Sequence, residues 1–354
     1  MSHNRLALLG FGNVGRAFAR LLRRKEMELR QEYGIAFSVT GIATGRHGIA
    51  VDPDGLDLER ALALVEGGES LEELTRLPLT DTLDFVNSVP ADVLFENSPV
   101  NYQNGEPAAS YLRIALERGM HAVTANKGPV VHAYRELNRL ALSKGRQFLF
   151  ESTVMDGAPI FSLFRSALPA AKLTSFRGIL NSTTNMILGR MEAGESFEQA
   201  VRYTQSVGLA ETDPSGDIDG WDASVKVAAL VSVLMGIPLL PQEVERTGIR
   251  EITAEMIAQA KADGKRWKLV CSAVKEGERI TARVAPELVG PDSPLFSVER
   301  ASSIVEFHTD TLSSLSIVEG DPGPETTAYG LLADFIYARS RYRRRGDLPA
   351  QRYR

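Results

Sequence analysis

The densest run of reactive side chains lies at residues 211–226. Glu211, Asp213, Asp217, Asp219 and Asp222 fall within twelve residues, and Lys226 follows Asp222 by four. On a helix, residues four apart share a face. A lysine held there by a carboxylate has the means to donate a proton to a carbonyl oxygen as hydride reaches the carbon. Glu211, Asp213 or Asp217 would then bind a substrate ammonium group. Two plainer readings compete: a solvated acidic loop followed by an ordinary helical salt bridge, and a calcium loop around Asp217-x-Asp219-Gly220. A calcium loop needs a bidentate glutamate at its twelfth position. Counted from Ser215 that position is Lys226, a cation.

A second lysine, Lys127, sits in Thr124-Ala125-Asn126-Lys127-Gly128-Pro129, directly after an apolar run that reads as a strand. In open α/β sheets the ligand crevice lies at the carboxyl ends of the strands, so Lys127 is placed to face cofactor and substrate. The alternative is a loop lysine in solvent.

Gly10-Phe11-Gly12-Asn13-Val14-Gly15 fits the pattern GxGxxG between an apolar strand ending at Leu9 and a helix starting near Val14. Glycines there allow a tight turn and close approach of backbone to a pyrophosphate, and the helix N-terminus offers free N–H groups. An acidic residue at the end of the second strand would take the ribose hydroxyls of NAD. Here the strand ends Ala43-Thr44-Gly45-Arg46-His47, with no carboxylate. Arg46 suits a 2′-phosphate, so the expected cofactor is NADP(H), with NAD(H) as the alternative. Arg46 also reads as a plain surface-loop cation.

These residues need a scaffold. Short apolar runs at 5–9, 37–44, 92–96, 121–124 and 147–150 alternate with helical periodicity at 14–30, 107–118 and 132–144. That alternation predicts a doubly wound parallel sheet in residues 1–150. A second α+β lobe is expected over 151–325. It has helices at 159–167, 183–193, 197–207 and 221–235, and strands at 173–180, 267–275, 280–284, 303–309 and 315–319. A last helix, 326–340, is expected to return to the first lobe. Arg339, Arg341, Arg343, Arg344 and Arg345 form a basic cluster that runs from the last helix into a tail, 341–354, read as solvated and disordered.

The chain has 354 residues, enough for two lobes. A net charge of −5 gives no global basic field for nucleic acid. Cys271 is the single cysteine, so an internal disulfide is impossible. No leader is expected, since the early apolar run 6–9 leads directly into a Gly-rich turn, and the apolar stretch 227–240, interrupted by Gly236 and Pro238, is too short to span a membrane. A cytoplasmic location is expected. The five histidines, at 3, 47, 121, 132 and 308, lack metal-ligand spacing.

Together these segments resemble homoserine dehydrogenase. The similar pieces are 10–15, 96–99 with 105–107, 124–127, 151–159, 178–188, 208–226 and Thr327-Ala328, in the family's order. The resemblance implies reduction of aspartate 4-semialdehyde to homoserine with NAD(P)H, in a homodimer. It implies that Lys226 donates the proton and that Lys127 assists at the cofactor–substrate junction. Glu211, Asp217 and Asp222 would hold or orient substrate and lysine, and Ser182 and Thr183 would line the pocket. Asn97, Ser98 and Gly323 would touch the dinucleotide. A monovalent cation, bound largely by backbone carbonyls, would map onto Glu151, Val154, Asp156 and Ala158. Four departures accompany the likeness: Met155-Asp156 in a turn where small residues are usual, Ser182 within the family's Asn-Gly-Thr, Leu209 for a tyrosine, and Glu319-Gly320-Asp321-Pro322-Gly323 before the last helix. They admit a paralogue acting on a related small oxo acid or aldehyde. The appended regulatory domain of longer relatives is not expected.

Overall fold

A computed structural model describes residues 2–339. Its first sheet comprises β1 (Ser2–Leu9), β2 (Ile35–Ala43), β3 (Ile49–Val51), β4 (Val93–Glu96), β5 (His121–Thr124) and β6 (Phe148–Leu149), in the order β3-β2-β1-β4-β5-β6. All pairs are parallel except β2 with β3, which are antiparallel. The chain leaves β1 to one side and returns on the other, so the β1–β4 edge is the switch point where such sheets bind ligands. The connecting helices are α1 (Asn13–Gln31), α2 (Leu58–Glu66), α3 (Thr82–Ser88), α4 (Ala108–Glu117) and α5 (Lys127–Ser143). In α1 the apolar stripe Ala17, Phe18, Leu21, Leu22 and Leu29 is buried against the sheet, as its periodicity requires.

The second lobe holds β7 (Leu173–Ile179), α6 (Ser182–Glu192), α7 (Phe197–Ser206), α8 (Ser215–Ile218), α9 (Trp221–Leu230), β8 (Glu245–Arg246), α10 (Ala254–Ala262), β9 (Arg266–Glu276), β10 (Arg279–Val289), β11 (Ser303–Thr309) and β12 (Leu315–Glu319). Its sheet runs β12-β11-β7-β9-β10-β8, antiparallel apart from the short β10–β8 pair. The helix expected at 221–235 is α-helical only to Leu230; it widens into a π-type segment, Val231–Met235, and stops at Gly236 in the left-handed conformation. The expected helix at 159–167 likewise becomes π-type over Leu163–Ala167.

The last helix, α11 (Pro324–Arg339), lies against α1 in the first lobe. Ala328, Leu331, Leu332 and Phe335 join Leu6, Phe18 and Phe95 in one core, with Phe335 edge-on to Phe95 at 5.8 Å. Gly330 lets α11 approach the turn after β6: a Cβ there would sit 2.2 Å from Ser152 Oγ. Arg339, counted with the basic cluster and lying within the expected last helix, closes α11 and is partly buried. The tail itself, 341–354, lies outside the described residues. Among the described residues no helix is long and apolar enough to cross a membrane.

Candidate active site

The helix expected to begin at residue 132 begins at Lys127. Pro129 falls in its first turn, where a missing N–H costs no intrahelical bond. Asn126 caps it, its side chain accepting from Gly128 N at 2.9 Å. A buried chain of polar groups fixes this start. Glu96, at the end of β4, accepts from Thr124 Oγ1 at 2.7 Å and from Ser98 N at 2.8 Å, and Asn126 Nδ2 donates to Ser98 O at 3.3 Å. Burial raises the Glu96 carboxyl above its ordinary value. Lys127 thus leaves a rigid corner at the carboxyl end of the sheet.

On the second lobe, α9 carries Asp222 and Lys226 one turn apart and both largely buried. Asp222 Oδ1 lies 3.1 Å from Lys127 Nζ and Oδ2 lies 3.3 Å from Lys226 Nζ. One carboxylate therefore holds two lysines that come from different lobes. Asn181, the N-cap of α6, donates from Nδ2 to Asp217 Oδ1 at 2.6 Å and to Asp222 Oδ2 at 3.1 Å. Its Oδ1 accepts from Thr184 N at 2.9 Å, which fixes the amide's orientation. Lys226 Nζ also donates to Leu180 O at 2.5 Å.

The electrostatics follow from this packing. Burial alone would raise the Asp222 carboxyl, but Lys127 and Lys226 outweigh it and hold it well below the usual carboxylate range. Burial alone would lower Lys127, and Asp222 outweighs it, so the ammonium form is favoured. Asp217 is raised by burial and by the charge of Asp222. The Tyr102 phenol, on the loop after β4, is raised by burial and by the charges of Asp222 and Asp217.

The phosphate turn fits a dinucleotide. Gly10 has φ +90°, and a Cβ there would lie 2.5 Å from Asn97 O across the switch point. Gly15 packs as closely, its added Cβ 2.3 Å from Gly10 O. The first N–H groups of α1, from Asn13 onward, have no intrahelical acceptor. Both amide atoms of Asn97 are buried with no hydrogen-bond partner, an arrangement that calls for a ligand. The Phe11 ring is buried in the core, and the Val14 side chain packs against the same core.

A strand–turn–helix phosphate cradle joined to a buried Lys–Asp–Lys cluster is what a nicotinamide-dependent dehydrogenase needs. The comparison with known families agrees. Residues 10–151 match the family model "Homoserine dehydrogenase, NAD binding domain" and residues 159–336 match "Homoserine dehydrogenase". The chain belongs to the homoserine dehydrogenase family. It is an NAD(P)-dependent oxidoreductase acting on a CH–OH group. It is 36% identical over 343 residues to the NAD(+)-dependent homoserine dehydrogenase of Pseudomonas canavaninivorans, covering 95% of this chain and 96% of that one. It is 35% identical over 334 residues to the homoserine dehydrogenase of Methanocaldococcus jannaschii, covering 94% and 97%. Among solved structures, the homoserine dehydrogenase of Thiobacillus denitrificans superposes with a TM-score of 0.81 at 29% identity, covering 97% of this chain and 76% of that one.

Other residues expected of a homoserine dehydrogenase site fall as follows. Thr183 Oγ1 donates to Leu209 O at 3.2 Å, and Ser182 Oγ lies 3.5 Å from Ser303 Oγ. Glu211 is exposed, and Ser98, expected at the dinucleotide, directs its N–H to Glu96. The Gly323 N–H donates to Asp156 Oδ2 at 2.8 Å, and Thr326 Oγ1 to the same atom at 3.1 Å. Asp156, the charged departure, therefore clasps the N-terminus of α11. The expected cation ligands are largely engaged. Glu151 accepts from Phe161 N at 2.7 Å and Ser162 N at 2.8 Å, and Ala158 O accepts from Ile160 N at 2.8 Å. Val154 is buried beside them. Arg46 is exposed, on the wall of a cavity at the end of β2.

Sequence reasoning passed over Tyr102, and it named Glu319 only as part of the departing turn 319–323 before the last helix. Glu319, at the end of β12, is pushed up to about 7 by burial and by the charge of Asp156, with Lys226 acting in the opposite sense. Tyr102 belongs to no motif, and only folding brings it to the cluster.

Proposed function

We propose that this chain interconverts L-homoserine and aspartate 4-semialdehyde in the crevice between its lobes, with Lys226 exchanging the proton on the substrate oxygen. The observation that carries the reading is the placement of Lys127 and Lys226, from different lobes, on the two oxygens of buried Asp222. A bound nicotinamide supplies or accepts the hydride. An ammonium has three protons; Leu180 O and Asp222 take two of those on Lys226, leaving one for an aldehyde oxygen. In reduction that proton passes to the oxygen as the carbon becomes CH–OH, and Lys226 becomes an amine beside Asp222. Oxidation runs the transfer backwards and needs the neutral amine. Asp217 and Glu211 supply the carboxylates for the substrate ammonium, and Thr183 and Ser182 line the same pocket.

The departures give little support to a different oxo substrate, because Asp156 faces the α11 N-terminus. On the cofactor, Arg46 supports NADP(H), whereas Glu72 and Asp81 on the same cavity wall support NAD(H). The name of the Pseudomonas relative lends weight to NAD(H). Homodimer formation and a monovalent cation near Glu151 belong to the proposal on the family likeness alone. Lys226→Met is the test. We expect kcat with homoserine to fall by about 10²–10⁴ while the NADH dissociation constant stays unchanged. Turnover near the wild-type rate would remove Lys226 from the mechanism.

A further inference from the structure

The end of β2 carries no carboxylate, yet the fold brings one to it. A cavity of about 540 Å³ opens there, lined by Thr44, Gly45 and Arg46 on one side and by Glu72 and Thr80–Thr82 on the others. The phosphate turn borders it directly: Gly10 N donates to Ala43 O at 2.9 Å, and Thr44 is the next residue. A dinucleotide with its pyrophosphate at Gly10–Gly15 must send its adenosine half over the end of β2, which is the mouth of this cavity.

Glu72 lies in a short 3₁₀ turn, Leu71–Leu74, far along the chain from the strand end. Backbone bonds lash that segment onto the β2–β3 turn. Leu71 N donates to His47 O at 2.8 Å, and His47 Nδ1 lies 2.9 Å from Glu69 O. The Glu72 carboxylate consequently lies over Gly48: a Cβ added to that glycine would be 3.4 Å from Glu72 Oε1. The other carboxylate on the wall, Asp81, is engaged in capping α3, accepting from Asp84 N at 2.8 Å. Neither the Glu72 carboxylate nor the Arg46 guanidinium has a hydrogen bond or ion pair among the described residues.

We propose that Glu72 supplies the carboxylate that accepts the adenosine-ribose hydroxyls of the cofactor, and so selects NAD(H) over NADP(H). This rests on the dehydrogenase reading above. An ionised acceptor suits two ribose hydroxyls, whereas a 2′-phosphate would gain Arg46 but meet the charges of Glu72 and Asp81 at short range. Arg46, taken from the sequence as the mark of NADP, is then the minority charge on this wall.

The test is equilibrium binding, read by the fluorescence of NADH and NADPH titrated with wild type, Glu72→Ala and Glu72→Gln. Glu72 is exposed, so both variants should keep the wild-type melting temperature. Glu72→Ala should weaken NADH about tenfold, the loss of charge-assisted hydrogen bonds, and tighten NADPH. Glu72→Gln should tighten NADPH likewise, with a smaller loss of NADH. Opposite signs for the two nucleotides are not what a structural role would produce. NADH binding unchanged within about twofold in Glu72→Ala, with homoserine turnover intact, overturns the role of Glu72 and leaves the dehydrogenase reading standing. Failure of wild type to bind either nucleotide overturns both.

Discussion

Replacing Asp222 by asparagine removes one charge and leaves two buried ammonium groups facing a neutral amide. At an effective dielectric of about 20, each pair at roughly 3.2 Å is worth about 5 kcal/mol of gross attraction. Breaking a buried pair by deleting one partner costs about 3–5 kcal/mol net. The asparagine oxygen still accepts from one lysine, so we expect the lower end, about 3 kcal/mol. At about 2 °C per kcal/mol for a chain of this size, the melting temperature should drop by about 6 °C. The pH dependence is more specific. Asp222 is depressed in the folded chain, so its contribution is present above the unfolded carboxylate value and lost as pH falls through the folded one. Lys127 is raised, so its contribution is complete below the unfolded lysine value and lost as pH rises through the folded one. The stability gap between wild type and Asp222→Asn should therefore be level from about pH 5 to 10 and narrow on either side. Urea unfolding at pH 3.5, 7 and 9 measures it. A variant melting within about 1 °C of wild type at pH 7, or a gap as wide at pH 3.5 as at pH 7, would refute the ion-pair account.

Asp156→Ala removes the acceptor for Gly323 N and Thr326 Oγ1 at the start of α11. Loss of such a cap costs about 1 kcal/mol, so urea unfolding should show a destabilisation of that order, and Asp156→Asn a smaller one. Lys268 is buried on β9 with only neutral acceptors, Asn185 Oδ1 at 2.8 Å and Val298 O at 2.6 Å. Burial lowers it to about 8. The unfolded chain then binds more protons between about pH 8 and 10.5, so wild-type stability gains from this group as pH rises through that window. Lys268→Met should lack the gain, and its stability relative to wild type should fall by about 2–3 kcal/mol from pH 8 to 10.5. A constant difference across that range would show that Lys268 does not titrate there.

What could be read before folding was local. The glycine turn after β1 and the pairing of Asp222 with Lys226 depend on neighbours a few residues apart, and both stand as expected. Strands 121–124, 303–309 and 315–319 were legible to the residue from their apolar runs. The start of α5 was missed because Gly128-Pro129 reads as a helix breaker, although proline is tolerated in a first turn. Helix α2 had a signal that went unused: Leu58, Ala61, Leu62 and Val65 form one face, and Asp57 caps it. Helix α10 had little to read, since only Ile257 and Ala260 are buried. The clasp of Asp156 on Gly323 spans 167 residues, and the approach of Glu72 to Gly48 depends on a strand pairing; neither leaves a periodic trace.

On the proposed reading, the cluster's charge balance would tie ligand binding to the alignment of the lobes. Lys127 stands on the first lobe, while Lys226, Asp222 and Asp217 stand on the second. Asp222 answers both lysines, and burial together with the Asp222 charge raises Asp217 beside it. A substrate ammonium arriving at Asp217 would favour that carboxylate's ionised form and restore a positive neighbour to each acid. If the lobes parted enough to separate Lys127 from Asp222, the Asp222 charge would lose one of its two counter-ions, and Asp217 would be harder still to ionise. On the proposed reading, substrate capture and the Lys127–Asp222 contact would therefore reinforce one another. The reason is that one buried carboxylate at the junction serves a lysine from each side.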